Sequence, residues 1–227
     1  MNKPPASIWG RGVCQWRLKL VLATVLVAAY CSGYLLIERH LWREPVRFNL
    51  SPIDRWIAFS TGWVWVYQSI YLLVLFPFLA TLRDDLKRYG IGFVLMTAAA
   101  FGWFVLFPVL GPRVPVAKPS GMYGLLIGVD LPFNTFPSLH MAVATYSACV
   151  AIRVTDGSLN RIFKIVFPLW ILLIGYSALA TKQHYAIDLP AGVLLGWIAQ
   201  YAAWERVSRA RDADSVLEVA SANRSDH

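Results

Sequence analysis

Phe136-Pro137-Ser138-Leu139-His140 opens an Ala-rich apolar run that continues to about Val154, and His184-Tyr185-Ala186-Ile187-Asp188 opens another that reaches Trp204. Each places ionisable groups where a greasy segment begins. Pro137 stops a helix from extending backwards and Ser138 offers a hydroxyl to cap its first turn, so a helix is expected from Ser138. A run of about twenty apolar residues is what crossing ~30 Å of hydrocarbon requires at 1.5 Å per residue. Worked outward from these two anchors, the chain reads as all-α: a polytopic membrane protein built as a six-transmembrane-helix bundle.

Composition agrees. The 227 residues are 57% hydrophobic and only 15% charged, with mean hydropathy +0.51, which is membrane-protein composition with room for one helical bundle. The ten Trp, ten Tyr and twelve Phe suit interfacial belts. A net charge of +8 is explained by a basic cytoplasmic face, and nucleic-acid binding is excluded at this hydrophobicity. Cys14, Cys31 and Cys149 show neither pairing nor ligand spacing, so no disulfide, metal or cofactor is expected.

The expected spans are 18–37, 62–82 (with a kink at Pro77), 91–110, 138–154, 165–181 and 185–204. The first is too long for a signal peptide and no small-residue cleavage site follows it. Residues 1–17 form a loose N-terminal segment, 18–204 the membrane domain and 205–227 a charged tail. Between spans, 38–60 contains a short segment lying in the interface, and Arg83-Asp84-Asp85-Leu86-Lys87-Arg88 reads as a charged turn. The Pro- and Gly-rich stretch 111–137 is the longest polar connection, and connections of that length are usually functional. With both termini cytoplasmic, fourteen of the 21 Lys and Arg face inside and seven outside, the bias expected of cytoplasmic loops. His140 and His184 then share the outer face. The small, bacterial-looking chain suggests an inner membrane with the site on the periplasmic side.

The chemistry is carried by few residues. The first turn of a helix beginning at Ser138 has free N–H groups and the positive end of the helix dipole, an anion site within reach of His140. His184 and Asp188, spaced i, i+4, are expected on one helical face. There the carboxylate fixes the imidazole tautomer and leaves the other nitrogen free to attack. Asp188 falls inside a span, where an unpaired carboxylate is costly, and His184 is its nearest partner. Two His and one Asp on separate helices make a poor zinc set.

Pro-Ser-Leu-His followed by His-Tyr-x-x-Asp resembles the last two signature motifs of the type 2 phosphatidic acid phosphatase superfamily. Thr181-Lys182-Gln183-His184-Tyr185-Ala186-Ile187-Asp188 and the Leu at position 139 resemble its inositol phosphorylceramide synthase and sphingomyelin synthase-like branch. The resemblance spans about residues 46–204. It implies that His140 is the acid, His184 the nucleophile and Asp188 its support, in a six-helix bundle with an outward-facing site. The first motif of the phosphatases, Lys-x6-Arg-Pro, has no counterpart here, and Ser177-Ala178 stands where the third motif carries Ser-Arg. Arg113, Lys118 and Lys182, with Ser138, are the candidates to bind phosphate in place of those cations.

The expected activity is phosphoryl transfer from a lipid phosphate or phosphodiester through a phosphohistidine intermediate. Water as acceptor makes a lipid phosphatase, whereas an alcohol makes a phospholipid headgroup transferase. A non-catalytic transporter is the alternative from a different class; Pro77, Pro108 and Pro168 would suit broken helices, but the hydropathy shows no two-half symmetry.

Overall fold

Long apolar runs become helices in the computed structural model, which describes residues 15–204. The readings made for residues 1–14, including Cys14, and for the tail 205–227 lie outside the described residues. Helix α1 (Trp16–Arg39) is followed by a two-residue strand, β1 (Val46–Arg47), and the short α2 (Pro52–Trp56). A capping box sets α2: Ser51 Oγ accepts from Asp54 N at 3.2 Å, Asp54 Oδ2 accepts from Ser51 N at 2.8 Å, and Pro52 stands at the helix start, where its missing N–H costs nothing. A 3₁₀ turn (Thr61–Trp63) leads into α3 (Val64–Gln68) and α4 (Ile70–Ala80). Then follow α5 (Arg83–Leu106), β2 (Val109–Leu110), α6 (Gly121–Val129), α7 (Leu139–Arg153) and α8 (Gly157–Ala180). The chain is helical again over 188–204, here α9.

Among the described residues, four helical stretches are long and apolar enough to cross a membrane: Trp16–Arg39, Thr61–Phe78, Asp84–Leu106 and Gly157–Ala180. Helix α7 has 15 residues, eleven of them buried. At 1.5 Å per residue it is about 22 Å long, short of the hydrocarbon thickness. Its Ala-rich surface faces other helices, with α4, α8 and α5 packed around it.

One end of the bundle collects the functional segments. Ser60 N donates to Ala180 O at 2.9 Å, joining the start of the 61–80 arm to the end of α8. Ser138 N donates to Asp188 O at 3.1 Å, joining the starts of α7 and α9. Strands β1 and β2 pair in parallel, Val46 opposite Val109 and Arg47 opposite Leu110, which ties the exits of α1 and α5 together.

Three expectations are corrected. Arg83 to Arg88 is not a turn but the first turns of α5. Asp84 and Asp85 sit at the positive end of that helix, where acidic residues are favourable, while Leu86 and Tyr89 are fully buried. The Tyr89 ring stacks on Tyr146 at 5.2 Å, so packing continues the helix through the charges. The stretch 111–137 contains α6, an apolar helix rather than polar loop throughout. The 62–82 arm is broken at Ser69, whose hydroxyl donates to Val66 O at 2.6 Å and accepts from Trp170 Nε1 at 2.8 Å.

Gly192 and Gly196 put two bare backbone positions on one face of α9. A Cβ at Gly192 would strike the Ser138 carbonyl, and one at Gly196 the Ala142 carbonyl, so α9 lies on α7 by backbone contact, as small-x-x-x-small pairs allow in membranes. Gly192→Val and Gly196→Val are each expected to destabilise the bundle by about 1–3 kcal/mol, read as a lower midpoint in thermal unfolding of the detergent-solubilised chain. Gly102→Ala, where an added Cβ has nothing within 4 Å, should leave the midpoint unchanged or raise it.

Candidate active site

The end of α8 cannot run straight into α9, because the chain must turn at 181–187, and Lys182 takes up a left-handed φ of 55° to do so. That turn presents His184. Its Nδ1 lies 3.0 Å from Thr135 O and 3.3 Å from Asp188 Oδ2, so two acceptors hold the proton on Nδ1. Nε2 is left facing Ser138 Oγ at 3.1 Å. Asp188 Oδ2 also accepts from Tyr185 N at 2.8 Å. The His184–Asp188 contact is therefore made across a turn that the carboxylate folds around itself, not along one face of a helix as the spacing suggests. Asp188 is 0% exposed and His184 7%, which strengthens these contacts through the low local dielectric.

Ser138 caps α7, its Oγ accepting from Met141 N at 3.3 Å. His140 lies in the first turn of α7 and stacks flat on Tyr67, with centroids 3.9 Å apart and planes 9° from parallel. His140, His184 and Arg113 all line one cavity of about 340 Å³. Its remaining wall is largely aromatic and aliphatic, with Tyr30 and Tyr34 from α1, Tyr67 from α3 and Leu125, Leu126 and Val129 from α6.

The cations divide. Arg113 stands on the cavity wall, with Nε donating to Gln183 Oε1 at 2.9 Å and both terminal nitrogens donating to Asp130, at its backbone carbonyl and its carboxylate. Tyr34 donates to the other Asp130 oxygen at 2.7 Å. Lys182 is turned away from the cavity. Its Nζ donates to Asp54 O and Ile57 O, each at 2.6 Å, and loss of water around it pulls the ammonium pKa down against the opposing pull of the Asp54 carboxylate. Lys118 is exposed and is not among the residues lining the cavity. The structure thus brings together His140, His184, Asp188, Ser138 and Arg113, and leaves Lys182 and Lys118 outside the cavity. Among the described residues, no group of three or more His, Cys, Asp or Glu is placed to hold a metal ion.

Sequence reasoning missed Asp54, Tyr67, Thr135 and Asp130. Asp54 is the most consequential: its Oδ1 accepts from Ala186 N at 2.8 Å while its Oδ2 serves the α2 capping box, so one buried carboxylate ties α2 to the turn that carries His184. The Ser51-x-x-Asp54 spacing was the readable signal. A backbone carbonyl such as Thr135 O leaves no such trace.

The fold and the site define a class: a helical membrane protein in which two imidazoles, one of them backed by a buried carboxylate, face a common cavity with an arginine on its wall. The family model of the PAP2 superfamily matches residues 37–202, and the chain belongs to that superfamily. No curated protein matches it by sequence. Among solved structures, the crystal structure of Aquifex aeolicus LpxE is similar over 75% of this chain and 91% of that one, at 20% identity and a TM-score of 0.46.

Asp54→Ala removes the capping box and strands the Ala186 N–H. A loss of about 1–3 kcal/mol is expected, measured by denaturant or thermal unfolding, against almost none for Lys164→Ala, which is exposed on α8.

Proposed function

We propose that the chain is a membrane lipid phosphatase or phosphotransferase acting on a lipid phosphate or phosphodiester through a phosphohistidine at His184. One observation carries the reading: Nδ1 of His184 is fixed by Thr135 O and Asp188, which leaves Nε2 as the only nitrogen able to attack, and His140 lines the same cavity. In the first step the Nε2 lone pair forms a bond to phosphorus, the bond to the leaving oxygen breaks, and His140 gives that oxygen a proton. In the second, water attacks the phosphorus, His140 takes the proton, and the P–N bond breaks to free His184. The imidazolium charge that develops on His184 is met by Asp188. Arg113 and the first-turn amides of α7 stabilise the non-bridging oxygens, and Ser138 adds a hydroxyl beside the attacking nitrogen.

The ends of α1, α5 and α8 meet the starts of the 61–80 arm, α7 and α9, which supports six spans in a single domain over 18–204. Together with the Lys and Arg bias it supports cytoplasmic termini and an outward-facing, periplasmic site in a bacterial inner membrane. Headgroup transfer is the second reading, in line with the synthase-like branch. It is favoured by the apolar and aromatic walls of the cavity, which would limit water and admit a lipid alcohol. A phospholipid incubated with labelled alcohol would yield a labelled lipid under transfer and free phosphate or phosphomonoester under hydrolysis.

His184→Ala should abolish phosphate release from a panel of lipid phosphates, and His140→Ala should lower it by roughly 10²–10⁴-fold, with circular dichroism and gel-filtration profiles unchanged. Full activity in correctly inserted His184→Ala would rule the scheme out. Lys118→Ala is expected to leave turnover unchanged, whereas Arg113→Ala should lower it; chelators should have no effect on the wild type.

A further inference from the structure

The connection between α1 and the 61–80 arm has a surface of unusual composition for a loop. Over residues 40–57, Trp42, Val46, Leu50, Ile53 and Trp56 are exposed, Trp56 at 84%. Arg43, Arg47 and Arg55 are exposed among them. Of the two acidic residues in the stretch, Asp54 is buried and already committed to Ser51 and Ala186, so Glu44 alone opposes three arginines. Bulky aromatic rings interleaved with arginines, at the end of a bundle where helices leave the bilayer, match a surface of anionic headgroups over acyl chains.

The same segment is fastened to both catalytic motifs. Phe48 packs on Phe136 at 5.8 Å and on Tyr185 at 5.5 Å between ring centroids, the neighbours of Pro137-Ser138 and of His184. Asp54 accepts from Ala186 N, and the carbonyls of Asp54 and Ile57 hold Lys182. Every residue of the turn from 182 to 186 is thus within two positions of a contact to this flap.

We propose that residues 40–57 are a docking surface for anionic phospholipid headgroups, and that their binding stiffens the catalytic turn and raises turnover. Headgroup phosphates pair with Arg43 and Arg47 while Trp42 and Trp56 sink to the level of the glycerol backbone. The flap then moves less, and Asp54 and Phe48 transmit that restriction to His184. The partner is the bulk lipid around the enzyme, distinct from the substrate in the cavity.

The test uses the full chain in nanodiscs of phosphatidylcholine, with and without phosphatidylglycerol, at constant phosphatidic acid substrate. Phosphate release and amide hydrogen exchange over 40–57 and 182–187 are followed together. Phosphatidylglycerol should raise the rate several-fold and slow exchange in both segments. Arg43→Gln/Arg47→Gln should keep the phosphatidylcholine rate and need roughly tenfold more phosphatidylglycerol for the same response. Arg43→Glu/Arg47→Glu should abolish the response. The rate readout rests on the phosphoryl-transfer reading of the site and the exchange readout does not: slowed exchange without phosphate release would sink that reading and keep the docking surface. Phosphate release with no response to phosphatidylglycerol in rate or exchange overturns the docking surface, as does an undiminished response in the double variants. A response that instead follows protein density at fixed lipid would assign the surface to a second copy of the chain and overturn the proposal too.

Discussion

Asp188 is a carboxylate with no solvent exposure at the first position of α9, and the geometry of the site depends on how it is accommodated there. A charge at such a place is expensive unless it is paired. The chain meets that demand at Oδ2 by folding residues 184–187 back over it, so that Tyr185 N and His184 Nδ1 both reach that oxygen. The Asp188 carbonyl meanwhile receives Ser138 N. One residue therefore positions the imidazole, shapes the turn and joins the starts of α7 and α9. Removing its charge would loosen the imidazole and the turn together, while the backbone junction of α7 and α9 is made by the Asp188 carbonyl.

That junction could not form if the two helices stood a normal distance apart. Leu- or Val-sized side chains between α7 and α9 would hold the axes 8–10 Å apart, by the usual helix-packing spacing. Gly192 and Gly196 let backbone meet backbone, at Ser138 and Ala142. The contact at Gly192 is with Ser138 itself, the residue whose hydroxyl faces His184 Nε2. Packing and chemistry share an atom group here, so a change that loosens the helix pair also moves the site.

Much of what the structure gathers around the cavity was legible in residue type. His140, His184 and Asp188 are ionisable groups at the edges of apolar runs, where they are costly unless partnered. Ser138 was legible as a cap, since Pro-Ser before an apolar run has one common meaning. The fate of the lysines was not. Nothing in Thr181-Lys182-Gln183 says that the ammonium will find the carbonyls of Asp54 and Ile57, 128 and 125 positions away, because that contact exists only once α2 has docked. The start of α5 was hidden for a related reason: five charged residues in six read as a turn, yet Leu86 and Tyr89 anchor that face in the core. Helix α6 was masked by the prolines and glycines on either side of it, which set its limits but say little about the apolar residues between them.

With Lys182 committed and Lys118 off the cavity, the positive charge available to a phosphate is smaller than the +8 of the chain suggests. Arg113 is the one sequence-expected cation on the wall, and Asp130 already balances it. Near a surface, at an effective dielectric of 20, a unit charge pair at about 4 Å is worth roughly 4 kcal/mol, so a phosphate cannot simply strip Arg113 from Asp130. It can share the guanidinium, whose five donors exceed what one carboxylate uses, and it can draw on the start of α7, equivalent to about half a positive charge. Leu139 and His140 contribute backbone N–H groups that have no intrahelical acceptor by position, and both residues line the cavity. On the proposed function, a site built this way would grip a phosphoryl group by directed hydrogen bonds more than by net charge. Such donors are aimed before the reaction begins, so they favour the trigonal-bipyramidal arrangement of oxygens over the tetrahedral ground state without reorganising. The loss of the family's usual cations from their expected places is, on these grounds, compatible with fast chemistry, provided that the turn holding His184 stays still.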